Sequence, residues 1–179
     1  VLRDHGGNIL VNVFSGSVAV NAARGVALQL SNAVQSFVTN FMTAVNPQIT
    51  KSYAAGEKDY MFSLMRKSSR MAYYLLLIIV LPVIFNVDCL LSIWLDDVPA
   101  GAASFARLFL ILALSESLSG PLMTGMQATG NIRDYQIVVG GLIMLNFPVS
   151  YIFLKAGARP EITVVVSIVI SQICLFARL

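Results

Sequence analysis

Charged side chains are scarce in this chain. Asp, Glu, Lys and Arg make up 12% of its 179 residues, whereas a soluble domain usually has about 25%. Apolar residues make up 57%, and the mean hydropathy is +0.77. Several apolar windows reach about 20 residues, the length that crosses a bilayer core of about 30 Å. The composition therefore predicts an integral membrane protein. The net charge of +3 is too small and too dispersed to indicate a nucleic-acid partner.

Cysteine and histidine are also rare. The two cysteines, Cys89 and Cys174, lie far apart, and the single histidine, His5, has no cysteine near it. This spacing excludes a disulfide framework and gives no metal-ligand motif, so no metal or cofactor is predicted. We find no nucleophile–base–acid set, no carboxylate pair inside an apolar segment and no glycine-rich phosphate loop, and we therefore do not predict an enzyme.

Apolar runs predict an all-α fold, a polytopic bundle of transmembrane helices. The predicted segments cover residues 7–16 (the tail of a helix), 19–47, 68–94, 102–126, 134–155 and 161–179. Pro82 is expected to kink the third segment, and Gly120 and Pro121 to interrupt the fourth. Because the chain opens on Val1 and closes on Leu179 in mid-segment, we expect a piece of a longer protein, incomplete at both ends.

Basic residues predict the orientation in the membrane. The stretch between the second and third segments contains Lys51, Lys58, Arg66, Lys67 and Arg70. The next loop contains acids and no base, so the basic stretch is expected on the cytoplasmic side. Within it, the sequence SYAAGEKDYMFSLMRKSSR predicts an amphipathic helix that lies on the inner membrane surface and contacts lipid head groups.

Polar side chains form a stripe along the second segment. At about 100° per residue they fall on one half of a helix. They are Asn21, Arg24, Gln29, Asn32, Gln35, Ser36, Thr39, Asn40, Thr43 and Asn46. The other half is apolar and is expected to be dry; it contains Val26, Leu30, Ala33, Val34, Phe37, Phe41, Ala44 and Val45. The stripe either makes interhelical hydrogen bonds or lines a wet cavity, and its unbroken length favours the cavity.

Three further positions have both a packing and a functional interpretation. Arg24 either extends to the membrane interface or binds an anion, since its planar guanidinium suits phosphate. Glu116 is either a hydrogen-bonded packing residue, a residue near the inner water boundary, or a carboxyl that holds and releases a proton. Asn146, two residues before Pro148, is either a packing residue, part of a hinge, or a cavity contact.

The phrases GGNILVNVFSG, VNAARGVALQLSNAVQSFVTNFMTAVNPQITKSYAAGEKDYM and SLSGPLMTGMQATGNIRDYQ resemble the polysaccharide-transport, O-antigen flippase-like branch of the MOP/MATE-like superfamily. The resemblance implies roughly twelve helices in two six-helix lobes that alternate access to a central cavity. Residues 1–179 would form the C-terminal transmembrane lobe, from the end of helix 7 through most of helix 12.

The resemblance also implies a function. It predicts a transporter that flips undecaprenyl-pyrophosphate-linked oligosaccharide across the bacterial inner (plasma) membrane for polysaccharide, lipopolysaccharide and O-antigen biosynthesis. The implied partners are the lipid-linked oligosaccharide, membrane lipids, the N-terminal lobe of the same chain and polysaccharide-assembly enzymes. Two alternatives stay open: a MATE-type multidrug or cation antiporter, and a membrane subunit that only scaffolds polymer assembly.

The predicted site residues follow from these hypotheses. Arg24 would contact the pyrophosphate, and Glu116 would couple transport to an ion. Amides and hydroxyls both donate and accept hydrogen bonds, which suits sugar hydroxyls. The predicted sugar contacts are Gln29, Asn32, Gln35, Ser36, Thr39, Asn40, Thr43 and Asn146.

Overall fold

The computed structural model describes residues 6, 10–14, 17–130 and 132–178, and this part of the chain is all-α, as predicted. The helices are α1 (Val18–Ala54), α2 (Lys58–Phe85), α3 (Val87–Trp94), α4 (Ala102–Ser117), α5 (Ser119–Ala128), α6 (Arg133–Met144), α7 (Asn146–Lys155) and α8 (Ile162–Arg178). Of the first predicted segment, 7–16, residues 10–14 are helical, and the others lie outside the described residues.

Three helical stretches in the described residues are long and apolar enough to cross a membrane. They are Lys58–Phe85, Ala102–Ala128 and Gln136–Lys155. The helix at Ile162–Ala177 is apolar but shorter. Helix α1 is the longest helix of the described chain, yet it is not among the stretches apolar enough to cross a membrane. Its polar stripe lowers its mean hydropathy.

Helix α1 has 37 residues and is therefore about 55 Å long. The prediction that it ends at residue 47 is wrong, because Pro47 lies inside the helix. Proline is tolerated in spanning helices where neighbouring groups satisfy the freed carbonyl. The chain turns only at Gly56, whose φ of +79° is a conformation that favours glycine.

Helix α2 starts at Lys58 and continues without a break to Phe85. The separate surface helix predicted for residues 52–70 is therefore wrong, because no glycine or proline between residues 57 and 81 stops the helix. Pro82 lies inside α2. The break comes four residues later at Asn86, whose backbone amide and side-chain Nδ2 both donate to the Pro82 carbonyl.

The next two predicted segments are confirmed as helical, each as a pair of helices. Segment 102–126 corresponds to α4 and α5, which meet at Leu118, and segment 134–155 corresponds to α6 and α7, which meet at Leu145. The last segment, 161–179, corresponds to α8.

Small residues form the contact at the centre of the bundle. Helix α1 packs against α2 and α4, and α4 packs in turn against α8. Ala23 and Ala27 of α1 meet Ala102, Phe105 and Ala106 of α4 in the largest buried cluster. Alanine on both helices lets the backbones approach closely, which is the usual basis of helix association in membranes.

Candidate functional site

One face of α1 is open along the middle of the helix. Six of the predicted sugar-contact residues lie on it with exposed side chains: Gln29, Asn32, Ser36, Thr39, Asn40 and Thr43. Gln35, at the edge of this open face, is half-buried. Its Nε2 donates to the Ser31 Oγ at 3.2 Å, and Ser31 donates to the Phe109 carbonyl at 3.3 Å. The second of these bonds joins α1 to α4 and helps to fix the rotation of α1 against α4.

The hydroxyl groups of the open face are bonded to their own helix. Ser36 donates to the Ala33 carbonyl at 2.7 Å, Thr39 to the Gln35 carbonyl at 3.1 Å, and Thr43 to the Thr39 carbonyl at 2.9 Å. Each hydroxyl has therefore used its only proton. Its oxygen still has a lone pair that can accept a bond from outside.

The exposed amides of the open face are different. Among the described residues, the side chains of Gln29, Asn32 and Asn40 make no hydrogen bond, ion pair or other polar contact. A primary amide with no partner is costly in hydrocarbon, because nothing there replaces water. These three side chains therefore require water, a ligand or another protein surface in front of them.

The predicted dry half of α1 is only partly buried among the described residues. Leu30 and Val34 are buried, but Phe37 is 57% exposed, and Ala33 and Ala44 are also exposed. The helix packs through its small residues instead, which turns the buried face towards the side of Ser31. Phenylalanine can stay outside, since an apolar side chain facing lipid costs nothing.

A cleft of about 250 Å³ lies at the half of the open face nearer the C-terminal end of α1. It is formed where α1 meets α2 and the break between α4 and α5. Its polar lining residues are Gln35, Thr39, Thr43, Asn46, Glu116 and Ser117. Asn46 closes one end, where its Oδ1 accepts a hydrogen bond from Thr124 Oγ1 at 2.9 Å.

Glu116 lies between two cavities. Besides the cleft, it lines a second cavity of about 210 Å³ between α5, α6 and α8. The second cavity also contains the hydroxyl-bearing side chains of Ser119, Ser167 and Ser171. The carboxyl is half-buried, so it is placed where the open face and the interior of the bundle meet.

The backbone beside Glu116 has unusual hydrogen bonding. Pro121 has no amide hydrogen, so the Ser117 carbonyl lacks the bond that residue i+4 normally donates. The Leu118 carbonyl accepts a bond from Ser69 Oγ at 3.3 Å instead of a bond within the spanning stretch. The Oγ of Ser119 is buried and has no hydrogen-bond partner among the described residues. A carboxyl, a freed carbonyl and an unused hydroxyl therefore occur within four residues.

Arg24 is not on the open face. It is 4% exposed and lies in the contact of α1 with α4 and α8. Its Nη1 donates to Thr163 Oγ1 at 3.0 Å, and its guanidinium carbon is 5.3 Å from the centre of the Phe109 ring. The predicted phosphate contact of Arg24 stays a prediction.

Asn146 is not on the open face either. It is 4% exposed and joins α7 to α8, where its Nδ2 donates to Ser167 Oγ at 2.8 Å. Its Oδ1 accepts a weak bond from Ser150 at 3.4 Å. Ser167 in turn donates to the Thr163 carbonyl. A buried polar network thus extends from Asn146 towards Arg24, and its members satisfy one another.

Sequence reasoning missed the part that α8 plays. Thr163, Ser167 and Ser171 follow one another at four-residue spacing, so they lie on one face of the helix. This face supplies the partner of Arg24, the partner of Asn146 and a lining residue of the second cavity. The four-residue spacing can be found in the sequence. The residues between the hydroxyls are apolar, so the segment was interpreted only as an apolar helix.

Comparison with known proteins gives a family. The MatE family model matches residues 7–152, which is more than half of the chain. No curated protein and no solved structure matched the chain. The long apolar helices and the family match agree with each other, and the resemblance at superfamily level is confirmed. The chain belongs to the MatE family, whose members are membrane transporters rather than enzymes.

Proposed function

We propose that this transporter flips a lipid-linked oligosaccharide across the bacterial inner membrane by alternating access. The observation that carries the proposal is a set of exposed amides on α1 that make no hydrogen bond within the described part of the chain: Gln29, Asn32 and Asn40. An array of amides and accepting hydroxyls about four turns long suits a chain of sugar hydroxyls. A small apolar cation would need far fewer such groups.

The proposal assigns the open face to a cavity between two lobes. The described helices would form one lobe, and the N-terminal lobe of the same chain would close the cavity opposite α1. The cleft of about 250 Å³ is below the range of about 300–1,000 Å³ typical of small-ligand pockets. It would therefore hold part of a sugar chain, and the remaining contacts would come from the facing lobe.

Arg24 is proposed to contact the pyrophosphate of the carrier lipid. Because Arg24 is bonded to Thr163, this contact would require the guanidinium to turn away from α8 as cargo enters. Replacement of Arg24 by Lys keeps the charge but loses the planar fork that pairs with phosphate. Arg24→Lys is therefore expected to flip more slowly than the unmodified protein even where its folded stability is unchanged.

A direct test uses full-length transporter in vesicles that contain a fluorescent lipid-linked oligosaccharide. A membrane-impermeant lectin reports the sugar that reaches the outside. We expect Asn32→Leu to slow flipping up to about tenfold, the effect of one or two lost hydrogen bonds. The matched control is Gln136→Leu, an exposed amide on α6, which should leave the rate unchanged. Equal effects of the two variants, or no flipping by the unmodified protein, would reject the proposal.

An ion-coupled antiporter of drugs or cations is the second candidate. The position of Glu116 between two cavities favours it, because a coupling carboxyl must exchange an ion between separate compartments. Transport of a cationic drug that follows an imposed Na⁺ or H⁺ gradient would support this candidate, provided that lipid-linked sugar is not moved by the same vesicles.

A further inference from the structure

A third cavity, which shares no lining residue with the cleft, lies between α2 and α5. Its volume is about 370 Å³, which falls within the range of about 300–1,000 Å³ typical of ligand pockets. Its lining is mainly apolar and includes Met61, Met65 and Met126. Phe62 lies in the lining and is 50% exposed. The cavity therefore has both a buried apolar floor and an open edge.

The shape of this cavity depends on Gly125 and Met65. A Cβ atom at Gly125 would collide with the Met65 side chain, so glycine there gives the methionine room to lie across the gap between α2 and α5. Methionine side chains are flexible and polarizable, and they adapt to ligands of irregular shape. An alkyl chain can therefore enter this lining without forcing the helices apart.

Positive charge lies at the edge of the cavity. Arg66 is a lining residue with an exposed side chain. Lys58 is also exposed and lies eight residues before Arg66 on the same helix. The nearest acid on α2, Asp59, is about two turns away. An apolar cavity with a guanidinium at its edge is complementary to a molecule with an alkyl chain and an anionic head.

The cavity lies at the membrane level where such molecules are found. It is at the end of the bundle where α1 ends, α2 begins and α5 ends. This end contains the basic stretch, so it faces the cytoplasm by the positive-inside rule. Basic pockets between transmembrane helices on this side bind the head groups of anionic lipids.

We propose that this cavity binds an anionic glycerophospholipid of the cytoplasmic leaflet. The phosphate of the lipid pairs with Arg66, and one acyl chain lies against Met61, Met65 and Met126. The bound lipid fills the gap between α2 and α5 and so stabilises their contact. This inference does not depend on which cargo the transporter moves, because no residue of the cleft takes part.

The test uses purified full-length transporter in detergent, with lipid retention measured by native mass spectrometry. Phosphatidylglycerol is compared with phosphatidylcholine of identical acyl chains. We expect the unmodified protein to retain phosphatidylglycerol preferentially. Arg66→Gln should weaken its binding about tenfold, the effect of one lost charge-assisted hydrogen bond. Thr129→Trp, which places an indole in the exposed edge of the cavity, should weaken binding of both lipids.

The matched control is Arg70→Gln, which removes the same charge one turn away from the cavity and should leave binding unchanged. Equal losses in Arg66→Gln and Arg70→Gln would overturn the proposal, because they would indicate diffuse surface charge. Undiminished retention by Thr129→Trp would overturn it as well, since the chain would then lie elsewhere. The comparison of the two lipids on the unmodified protein needs no variant, and equal retention of both would also count against the site.

Discussion

Arg24 on α1 donates a hydrogen bond to Thr163 at the start of α8, with Nη1 and Oγ1 3.0 Å apart. Thr163 donates its own hydroxyl proton to the Pro160 carbonyl at 2.9 Å, which leaves its oxygen free to accept from Arg24. The bond joins two residues that are 139 positions apart in the sequence. It places a charged side chain inside the bundle.

The first prediction concerns the stability of this contact. Thr163→Val removes the hydroxyl that accepts from Arg24, and we expect a loss of about 1 kcal/mol in the free energy of unfolding, the scale of a hydrogen bond between helices in a membrane. Thr50→Val is the control, because the exposed Thr50 hydroxyl bonds only to its own helix. Unfolding in bicelles with a mild denaturant measures the stability of both variants. Equal losses would show that the interhelical bond contributes no more to stability than a bond within one helix.

The second prediction concerns water on the open face of α1. Cysteine placed at Asn32, Ser36 or Thr39 in the full-length transporter should react with an aqueous maleimide, because these exposed side chains are proposed to face a wet cavity. Cysteine at Ile78, which is 73% exposed on α2, should react slowly, since an apolar residue in the middle of a spanning helix faces lipid. If all three positions on α1 stay unreactive in both inward-open and outward-open conditions, the cavity proposal fails.

The third prediction concerns Glu116. Glu116→Gln keeps the shape of the side chain but removes the ionisable group. If transport is coupled to an ion through this carboxyl, the variant should no longer respond to an imposed Na⁺ or H⁺ gradient. Asp96→Asn, an exposed acid in the loop after α3, should keep the response. A gradient response that survives in Glu116→Gln would assign the coupling to another residue.

The fourth prediction compares two glycines. Gly56 has a φ of +79°, so Gly56→Ala forces a left-handed conformation on alanine and should cost about 1 kcal/mol of stability. Gly140 lies inside α6, and a Cβ there would meet nothing within 4 Å. Gly140→Ala should therefore be neutral or stabilising. Thermal unfolding of both variants tests the contrast, and a destabilised Gly140→Ala would point to a neighbour outside the described residues.

The sequence predicts the helical class and the exposed polar face well, but not the exact rotation of α1. The stripe could be found because amides and hydroxyls are unfavourable against lipid, so at helical spacing they are expected to share one face that is turned away from it. The exposure of Phe37 shows why this rotation could not be predicted. Hydropathy cannot separate a side chain that faces lipid from one that faces the protein core, since both surroundings are apolar.

Arg24 and Asn146 show a second limit of prediction from the sequence, because their surroundings depend on a helix elsewhere along the chain. Arg24 and Asn146 were each given both a packing and a functional interpretation, and both are buried against α8. Their partners are 139 and 21 residues away along the chain. Periodicity describes one helix at a time, so it cannot show which neighbour supplies a hydrogen-bond partner. Glu116 shows the same limit, because its contact with two cavities depends on six helices.

The two kinds of polar group on α1 differ in how they tolerate dehydration. Thr39 and Thr43 keep their protons engaged whether or not solvent is present, so drying costs them little. Gln29, Asn32 and Asn40 have no such partner among the described residues, so they would lose their hydrogen bonds if solvent left the proposed cavity. An unloaded carrier should therefore resist occlusion chiefly at these three amides, and a ligand that satisfies them would lower the barrier to the occluded intermediate.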